Sequence, residues 1–314
     1  MNKIDKIVIL GGSGFIGAQL ATKLSSMAEK IIIPTRDIES NQGLKMIPNL
    51  EIMHLDVKDD RSVNLLFDKS DLVINTIGIL NEFDQDNSFD NIHYQLTKKI
   101  SNCLRQNQVK RYLHISSLNA DAKSSGKYLK SKGKAEDYLL SETSSFCNVT
   151  IFRPSIVFGE NDSFFNKFST LLKIFPVFPL ACPNSKFMPV YVEDLTDYMI
   201  STINNVKTYK QSIDVTGPNE YTFRELIGHT LTALNIRRII IPLNSFLSRI
   251  QARVFENLPG KLFTMDNYES LQIDSCSDKG FKGSSSVEDI IPQYLNIELK
   301  HKRFEKLRKK SGRG

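Results

Sequence analysis

Along the first half of the chain, apolar positions follow two different periods. Short, almost unbroken apolar runs recur at KIVIL (6–10), KIIIPT (30–35), EIMHLD (51–56), DLVINTIG (71–78), RYLHISS (111–117) and NVTIFRP (148–154). Between them, apolar residues fall at helical spacing over 14–28, 60–68, 91–107 and 126–142. A strand that is apolar on both faces must be covered on both faces, and intervening helices supply that cover. The pattern predicts an α/β fold built on a doubly wound parallel sheet. After Pro154 the periods become irregular. Residues 164–181 read as a helix followed by a Pro-broken apolar loop, and MPVYVEDLTDYMISTI as a strand and a helix. A strand at QSIDVTG, a helix over 222–234, a strand over 237–243 and two or three more helices complete the chain. This half predicts a smaller C-terminal α/β lobe over 156–300, following a main domain over 1–155 and preceding a short tail, 301–314.

The first turn between strand and helix carries VILGGSGFIGAQLATKL. Gly11 permits a tight turn, Gly14 lets the backbone approach a pyrophosphate, and Gly17 lets the helix pack closely. The helix N-terminus offers free N–H groups and partial positive charge to phosphates. The motif lies after a strand and inside a βαβ unit, which predicts a Rossmann-type dinucleotide site. The second strand ends in PTRD. A carboxylate there suits the ribose 2′-hydroxyl of NAD, whereas the Arg36 guanidinium suits a 2′-phosphate, so NADP(H) is expected in preference to NAD(H). Asp37 stands one residue away and leaves the NAD alternative open. Asp56 in HLDV is placed for the adenine amino group, and Gly78 in NTIG for backbone approach to the cofactor. The expected cofactor contacts are Gly11, Gly12, Ser13, Gly14, Phe15, Ile16, Arg36, Asp56, Val57, Ile77, Gly78, Ser116, Tyr128, Lys132 and Pro154.

The stretch GKYLKSKGKAED (126–137) puts Tyr128 and Lys132 one helical turn apart on one face. A cation beside a tyrosine hydroxyl favours the phenolate, so the pair suits proton transfer. Ser117, closing the fifth strand beside Ser116, is the candidate third member. Pro154 and Ser155 follow the sixth strand toward the nicotinamide side. KIFPVFPLA (173–181) reads as a lid over an apolar substrate or a surface for a membrane partner. Arg153, Glu193 and Asp194 border the expected cleft, with Asp194 read as a helix cap.

Charge changes the picture only at one end. The chain of 314 residues carries a net charge of +6, and residues 301–314 alone hold seven Lys/Arg against one acid. The remainder therefore balances 34 basic against 34 acidic residues. A neutral body without a basic stripe argues against nucleic acid as a partner. The tail suits an anionic membrane surface or an acidic partner. Cys103, Cys147, Cys182 and Cys276 form no Cys-x-x-Cys pair, and the five histidines lack metal-ligand spacing, so no metal is expected. MNKIDKIVIL runs almost at once into a strand, and no apolar run approaches bilayer-spanning length. The expected location is cytoplasmic, or peripheral on the inner membrane face.

Taken together, GGSGFIG, LDV, NTIG, HISS, YLKSK and FRPSIVFG resemble the short-chain dehydrogenase/reductase superfamily, in its extended or atypical, epimerase/dehydratase-like branch. HISSLNADAKSSGKYLKSKGKAEDYLL, FRPSIVFGENDSFFNKFSTLLKIFPVFPL and MPVYVEDLTDYMISTINN are most similar to the alpha-subcomplex subunit 9 family of respiratory complex I. The likeness spans roughly 6–298. It implies a Rossmann fold with tightly held NADPH and an accessory, stabilising role in a membrane NADH:quinone oxidoreductase. The superfamily equally implies a working NADP-dependent oxidoreductase or epimerase, on a quinone precursor or nucleotide sugar. There Tyr128 would be the acid/base, Lys132 would orient the nicotinamide ribose, and Ser117 would hold a substrate carbonyl. Ser117 and Tyr128 are only 11 positions apart, a shorter loop than extended-type enzymes use, so cofactor retention without turnover stays beside the enzymatic reading.

Overall fold

The computed structural model describes residues 3–257, 261 and 263–296, so the basic tail lies outside the described residues. The elements run β1 (Ile4–Leu10), α1 (Phe15–Leu24), β2 (Ala28–Thr35), β3 (Leu50–His54), α2 (Asp60–Phe67), β4 (Leu72–Asn75), a π-helical turn (Asp90–Gln95) leading into α3 (Leu96–Gln106), β5 (Arg111–Ile115), α4 (Lys127–Ser141) and β6 (Asn148–Pro154). They continue with β7 (Val157–Phe158), α5 (Phe165–Ile174), β8 (Val177–Leu180), β9 (Lys186–Phe187), β10 (Val190–Tyr191), α6 (Val192–Ser201) and β11 (Gln211–Thr216). The remainder is β12 (Tyr221–Thr222), α7 (Phe223–Leu234), β13 (Ile239–Pro242), α8 (Ser245–Phe255), α9 (Met265–Ser270), β14 (Phe281–Lys282) and α10 (Val287–Leu295).

The main sheet has the order β14-β11-β6-β5-β4-β1-β2-β3. The pairings of β1 with β2 and β4, of β2 with β3, of β4 with β5 and of β5 with β6 are all parallel. This is the doubly wound Rossmann order, in which strand order reverses between β1 and β4 and ligands bind beyond the carboxyl ends at that switch point. The chain forms two compact units, one from Met1–Pro154 with Thr196–Asp214, the other from Ser155–Leu195 with the described residues from Val215 onward.

In the first unit the apolar strands do what their composition requires. Val8, Val73, Tyr112, Val149 and Ile151 are buried beneath Leu66 and Phe67 of α2, Ile100 and Leu104 of α3 and Leu139 of α4. Each such side chain contributes about 1.5–3 kcal/mol by leaving water. The second unit has its own core, where Phe158, Phe165, Phe187 and Phe223 gather with Leu226, Ile227 and Ile291. Ring pairs such as Phe158–Phe165, edge-on at 5.8 Å between centroids, order that cluster.

Two expectations change. The Pro-broken loop after α5 is in part a strand: β8 pairs in parallel with β13, Ile239 opposite Val177 and Pro242 opposite Leu180. The prolines are tolerated because a two-stranded edge asks few N–H groups of them, and Pro176 serves as an acceptor from Ile239 N–H at 3.0 Å. Asp194 lies in the first turn of α6, yet its carboxylate accepts from Ser284 N–H (2.9 Å), Ser285 N–H (2.8 Å) and Ser285 Oγ (3.1 Å). It ties down the segment after β14 instead of capping its own helix.

Arg111 is a buried fastener in the first unit. Its guanidinium donates to Ile203 O (2.8 Å), Asn148 O (2.7 Å), Thr202 O (2.9 Å) and Thr150 Oγ1 (2.9 Å), and lies 4.6 Å from the Tyr209 ring centre. It joins β5 and β6 to the segment 202–209. Arg111→Leu would strand these acceptors in a dry interior, and urea unfolding is expected to show a loss of at least about 3 kcal/mol. A loss below about 1 kcal/mol would show that the segment is held by other contacts.

Candidate active site and dinucleotide cradle

The glycine loop connects β1 to α1. Gly11 has φ +74°, a left-handed conformation, and a Cβ there would sit 2.8 Å from Thr76 Oγ1. A Cβ on Gly17 would lie 2.3 Å from Gly11 O and 2.6 Å from Gly12 Cα, so this glycine seats the helix on the loop itself. Gly14, by contrast, is exposed, and its nearest neighbour on the Cβ side is Gly11 O at 3.2 Å. Gly14 is also the N-cap of α1, whose first turn has no side-chain cap and no acid. The residues thus fit a phosphate-bearing ligand: backbone donors without a capping side chain, behind a glycine that leaves room.

The end of β4 is tied to this loop. Thr76 Oγ1 donates toward Leu10 O and Gly11 O, both at 3.0 Å. Asn75 Oδ1 accepts from Ile77 N–H at 3.0 Å. Gly78 follows, and a Cβ there would stand 3.3 Å from Lys132 Nζ. The glycine loop, the β4 end and Lys132 therefore form one continuous rim at the switch point.

At the end of β2 the two candidates separate. The Asp37 carboxylate is engaged by Ser40, accepting from its N–H at 3.1 Å and from its hydroxyl, and these bonds hold it below the usual carboxylate range. Arg36 is exposed, with no hydrogen bond or ion pair among the described residues. Asp56 is exposed at the end of β3 and accepts from Lys58 N–H at 2.9 Å, which is turn chemistry. Val57 packs partly against the core.

Helix α4 carries the Tyr/Lys pair. Its close approach to the preceding loop depends on Gly133, where a Cβ would fall 2.2 Å from Ala122 N. Lys132 is 4 % exposed, and its Nζ donates to Ile115 O at 3.1 Å. Burial lowers its pKa to about 8, with Glu136 one turn further along offsetting part of the shift. Glu136 is itself buried. It accepts from Arg153 Nε at 2.7 Å, from the same guanidinium's terminal nitrogen and from Ser212 Oγ at 3.2 Å. Arg153 thus belongs to this buried pair.

Tyr128 is half-buried, its ring edge-on to Phe89 (5.6 Å) and to His93 (5.5 Å). His93, on the π-helical turn, is fully partnered. Its Nε2 accepts from Ile79 N–H at 3.1 Å, and its Nδ1 lies 2.9 Å from Ser131 Oγ, which donates onward to Tyr128 O at 2.8 Å. Those bonds assign a neutral ring protonated at Nδ1. Burial, with the Lys132 charge nearby, holds it well below its ordinary pKa. On β5, His114 is likewise neutral, its pKa pushed by burial down to about 3.

Ser116 is buried with no hydrogen-bond partner for its hydroxyl among the described residues, whereas Ser117 is half-buried and donates to Leu118 O at 3.3 Å. Pro154 O accepts from Leu118 N–H at 2.9 Å, fixing the Ser117–Leu118 turn beside the end of β6. Ser13, Phe15 and Ile16 are half-buried around the glycine loop. The expected residues thus follow the carboxyl ends of β1 to β6, except Tyr128 and Lys132, which α4 carries. His93, Thr76, Gly133 and Glu136 were not singled out by sequence reasoning. Of these, only Gly133 carried a local signal, a glycine in a helix interior.

The profile of the NAD dependent epimerase/dehydratase family matches residues 7–213. The chain belongs to this family. Among curated relatives, the rat protein named NADH dehydrogenase [ubiquinone] 1 alpha subcomplex subunit 9, mitochondrial, is 29% identical over 300 residues, covering 93% of this chain and 77% of its own. Its Arabidopsis thaliana namesake is 28% identical over 226 residues, 69% of this chain and 55% of its own. Among solved structures, the dTDP-glucose 4,6-dehydratase DesIV from Streptomyces venezuelae, with NAD bound, superimposes with a TM-score of 0.70 at 16% identity, over 95% of this chain and 98% of its own. That likeness establishes the shared fold. Among the described residues no helix is long and apolar enough to cross a membrane.

The buried ammonium gives the Tyr128 and Lys132 turn a measurable signature. Between pH about 8 and 10.5 the unfolded chain holds the Lys132 proton and the folded chain does not, so folding stability rises with pH there. Below that window the folded protein carries the whole cost of the buried charge. Lys132→Met is expected to gain stability over the parent chiefly near neutral pH, and the gain should shrink toward pH 10.5. Urea unfolding at both ends of the window checks this, and a pH-independent difference would refute it.

Proposed function

We propose that this chain retains NADP(H) on its first unit and serves as an accessory protein of a membrane NADH:quinone oxidoreductase, working from the cytoplasmic side. The observation that carries the cofactor preference is at the end of β2: Arg36 is exposed and unpartnered among the described residues, while Ser40 has taken the Asp37 carboxylate. A guanidinium fork there suits a 2′-phosphate, and a carboxylate already bonded is a poor acceptor for a ribose 2′-hydroxyl. The accessory role is supported by the rat relative, which aligns over 93% of this chain at 29% identity and carries the name of a respiratory-complex subunit.

In this reading the cradle's parts are binding groups. Gly11, Gly12, Ser13, Gly14, Phe15 and Ile16 present backbone to the pyrophosphate, and Asp56 with Val57 flanks the adenine. Ile77 and Gly78 line the middle of the cofactor. Tyr128 and Lys132 hold the nicotinamide ribose, beside Ser116 and Pro154. Bound nicotinamide would supply hydride chemistry, but a clamp needs only the hydrogen bonds. A second reading, an NADP-dependent oxidoreductase or epimerase, is favoured by the preserved turn between Tyr128 and Lys132. In that case Tyr128 moves the proton and Ser117 orients the substrate carbonyl.

Protein purified without added nucleotide, then denatured and analysed by mass spectrometry, is expected to release NADP(H) and little NAD(H). Arg36→Glu should weaken NADPH binding by about tenfold or more and leave NADH binding within about threefold. Equal losses for both nucleotides would end the 2′-phosphate assignment. Native electrophoresis separates the two roles. Comigration with a large membrane assembly supports the accessory reading. A free species whose NADPH-dependent turnover is abolished by Tyr128→Phe, with NADPH still bound, supports the enzyme.

A further inference from the structure

Helix α8 is built inside out. The side chains it buries are small, Ser248 and Ala252, both 0 % exposed, with Ser248 Oγ accepting from Cys182 N–H at 3.2 Å. Half a turn away, Phe246, Ile250 and Val254 form a stripe at four-residue spacing that faces solvent, and Phe246 is 71 % exposed. The stripe continues onto the neighbouring strands. β13 turns directly into α8, and Gln251 Nε2 donates to Pro179 O of β8 at 3.0 Å. Ile239 and its register partner Val177 are both exposed, as is Ile241. Of the fifteen exposed large apolar side chains among the described residues, nine lie within 174–177 and 239–254. Scattered apolar residues are ordinary on a surface, but a concentration of this kind marks an interaction site.

The charge around the patch selects the occupant. Segments 163–182 and 237–255 together contain Lys167, Lys173, Arg237, Arg238, Arg249 and Arg253 and no Asp or Glu. Arg249 and Arg253 follow the buried Ser248 and Ala252 and flank the stripe along α8. A second copy docked on the same patch would set cations against cations. We propose that this face of the second unit, α8 with the β8–β13 pair, docks on an anionic lipid bilayer surface, the apolar stripe entering the headgroup boundary and the arginines meeting lipid phosphates. The patch residues belong neither to the cradle residues nor to the segment 301–314, and the inference does not rest on either.

Co-sedimentation of the full chain with vesicles tests it, using phosphatidylcholine alone and phosphatidylcholine with about one-third phosphatidylglycerol. The parent is expected to bind the second and not the first, and to release as salt is raised. Phe246→Ser/Ile250→Ser and Arg249→Glu/Arg253→Glu are each expected to lower binding at least about tenfold, with thermal unfolding and NADPH binding unchanged. All four positions are exposed, so both variants should fold. Absence of vesicle binding by the parent would overturn the proposal. So would full binding by either variant, which would assign the membrane contact to the tail. A parent dimer in light scattering that Phe246→Ser/Ile250→Ser dissolves would make the patch a self-association face and overturn it as well.

Discussion

A single buried ammonium sets the terms for the first unit. Lys132 is shut away from water, and an unpaired cation there would be strongly destabilising. Its surroundings answer that cost in several ways: the Ile115 carbonyl accepts a hydrogen bond from it, Glu136 sits one turn along the same helix, and both nearby histidines stay neutral. Arg153 and Ser212 in turn hold Glu136. Ile115 belongs to β5, Arg153 to β6 and Ser212 to β11, so the ends of these strands are tied to the Lys132 and Glu136 turn of α4. Gly133 is part of the same constraint, because without it α4 would stand too far from the preceding loop to deliver Lys132.

Much of this frame was legible in the sequence because it repeats rules that act locally. Apolar runs without alternation marked the buried strands, and NVTIFRP marks β6 residue for residue. The glycine loop announced itself by spacing, and Tyr128 and Lys132 by helical period. What remained hidden depends on contacts distant in sequence. The π-helical turn at Asp90–Gln95 looks like ordinary amphipathic helix, so nothing flagged His93 as the residue against Tyr128. The prolines of β8 obscured a strand whose partner, β13, lies some sixty residues later. Asp194 had the residue type and position of a cap, and only the folded chain reveals the segment it ties down. The sequence favoured Arg36 over Asp37, but it could not reveal that Ser40 bonds the Asp37 carboxylate.

Holding a dinucleotide and turning it over draw on the same atoms. A lysine that orients a nicotinamide ribose also lowers the pKa of an adjacent tyrosine, and a tyrosine that donates to a ribose hydroxyl is also positioned to protonate a carbonyl. The neutral, fully bonded His93 beside Tyr128 favours a rigid ring in either role. The distinction between fixture and catalyst therefore lies outside the dyad, in how the Ser117 turn is set and in what reaches the nicotinamide. Family membership fixes the chassis, and function is decided by the site built on it.

Arg111 reaches across ninety-two residues to Ile203, and the first unit is completed only by the segment that returns at Thr196. On a ribosome this order matters. The glycine loop, the six leading strands and the dyad helix all emerge before the piece that closes their sheet side, and a long stretch of the second unit must be made in between. Until then the guanidinium has partners such as Asn148 O and Thr150 Oγ1 on β6 but lacks the carbonyls of Thr202 and Ile203, so a nascent chain of about two hundred residues is a vulnerable intermediate even though its dinucleotide loop is already made. Early capture of a nucleotide by that loop would then act as a folding aid as well as a function, stabilising the half-built sheet while its last segment is still being synthesised.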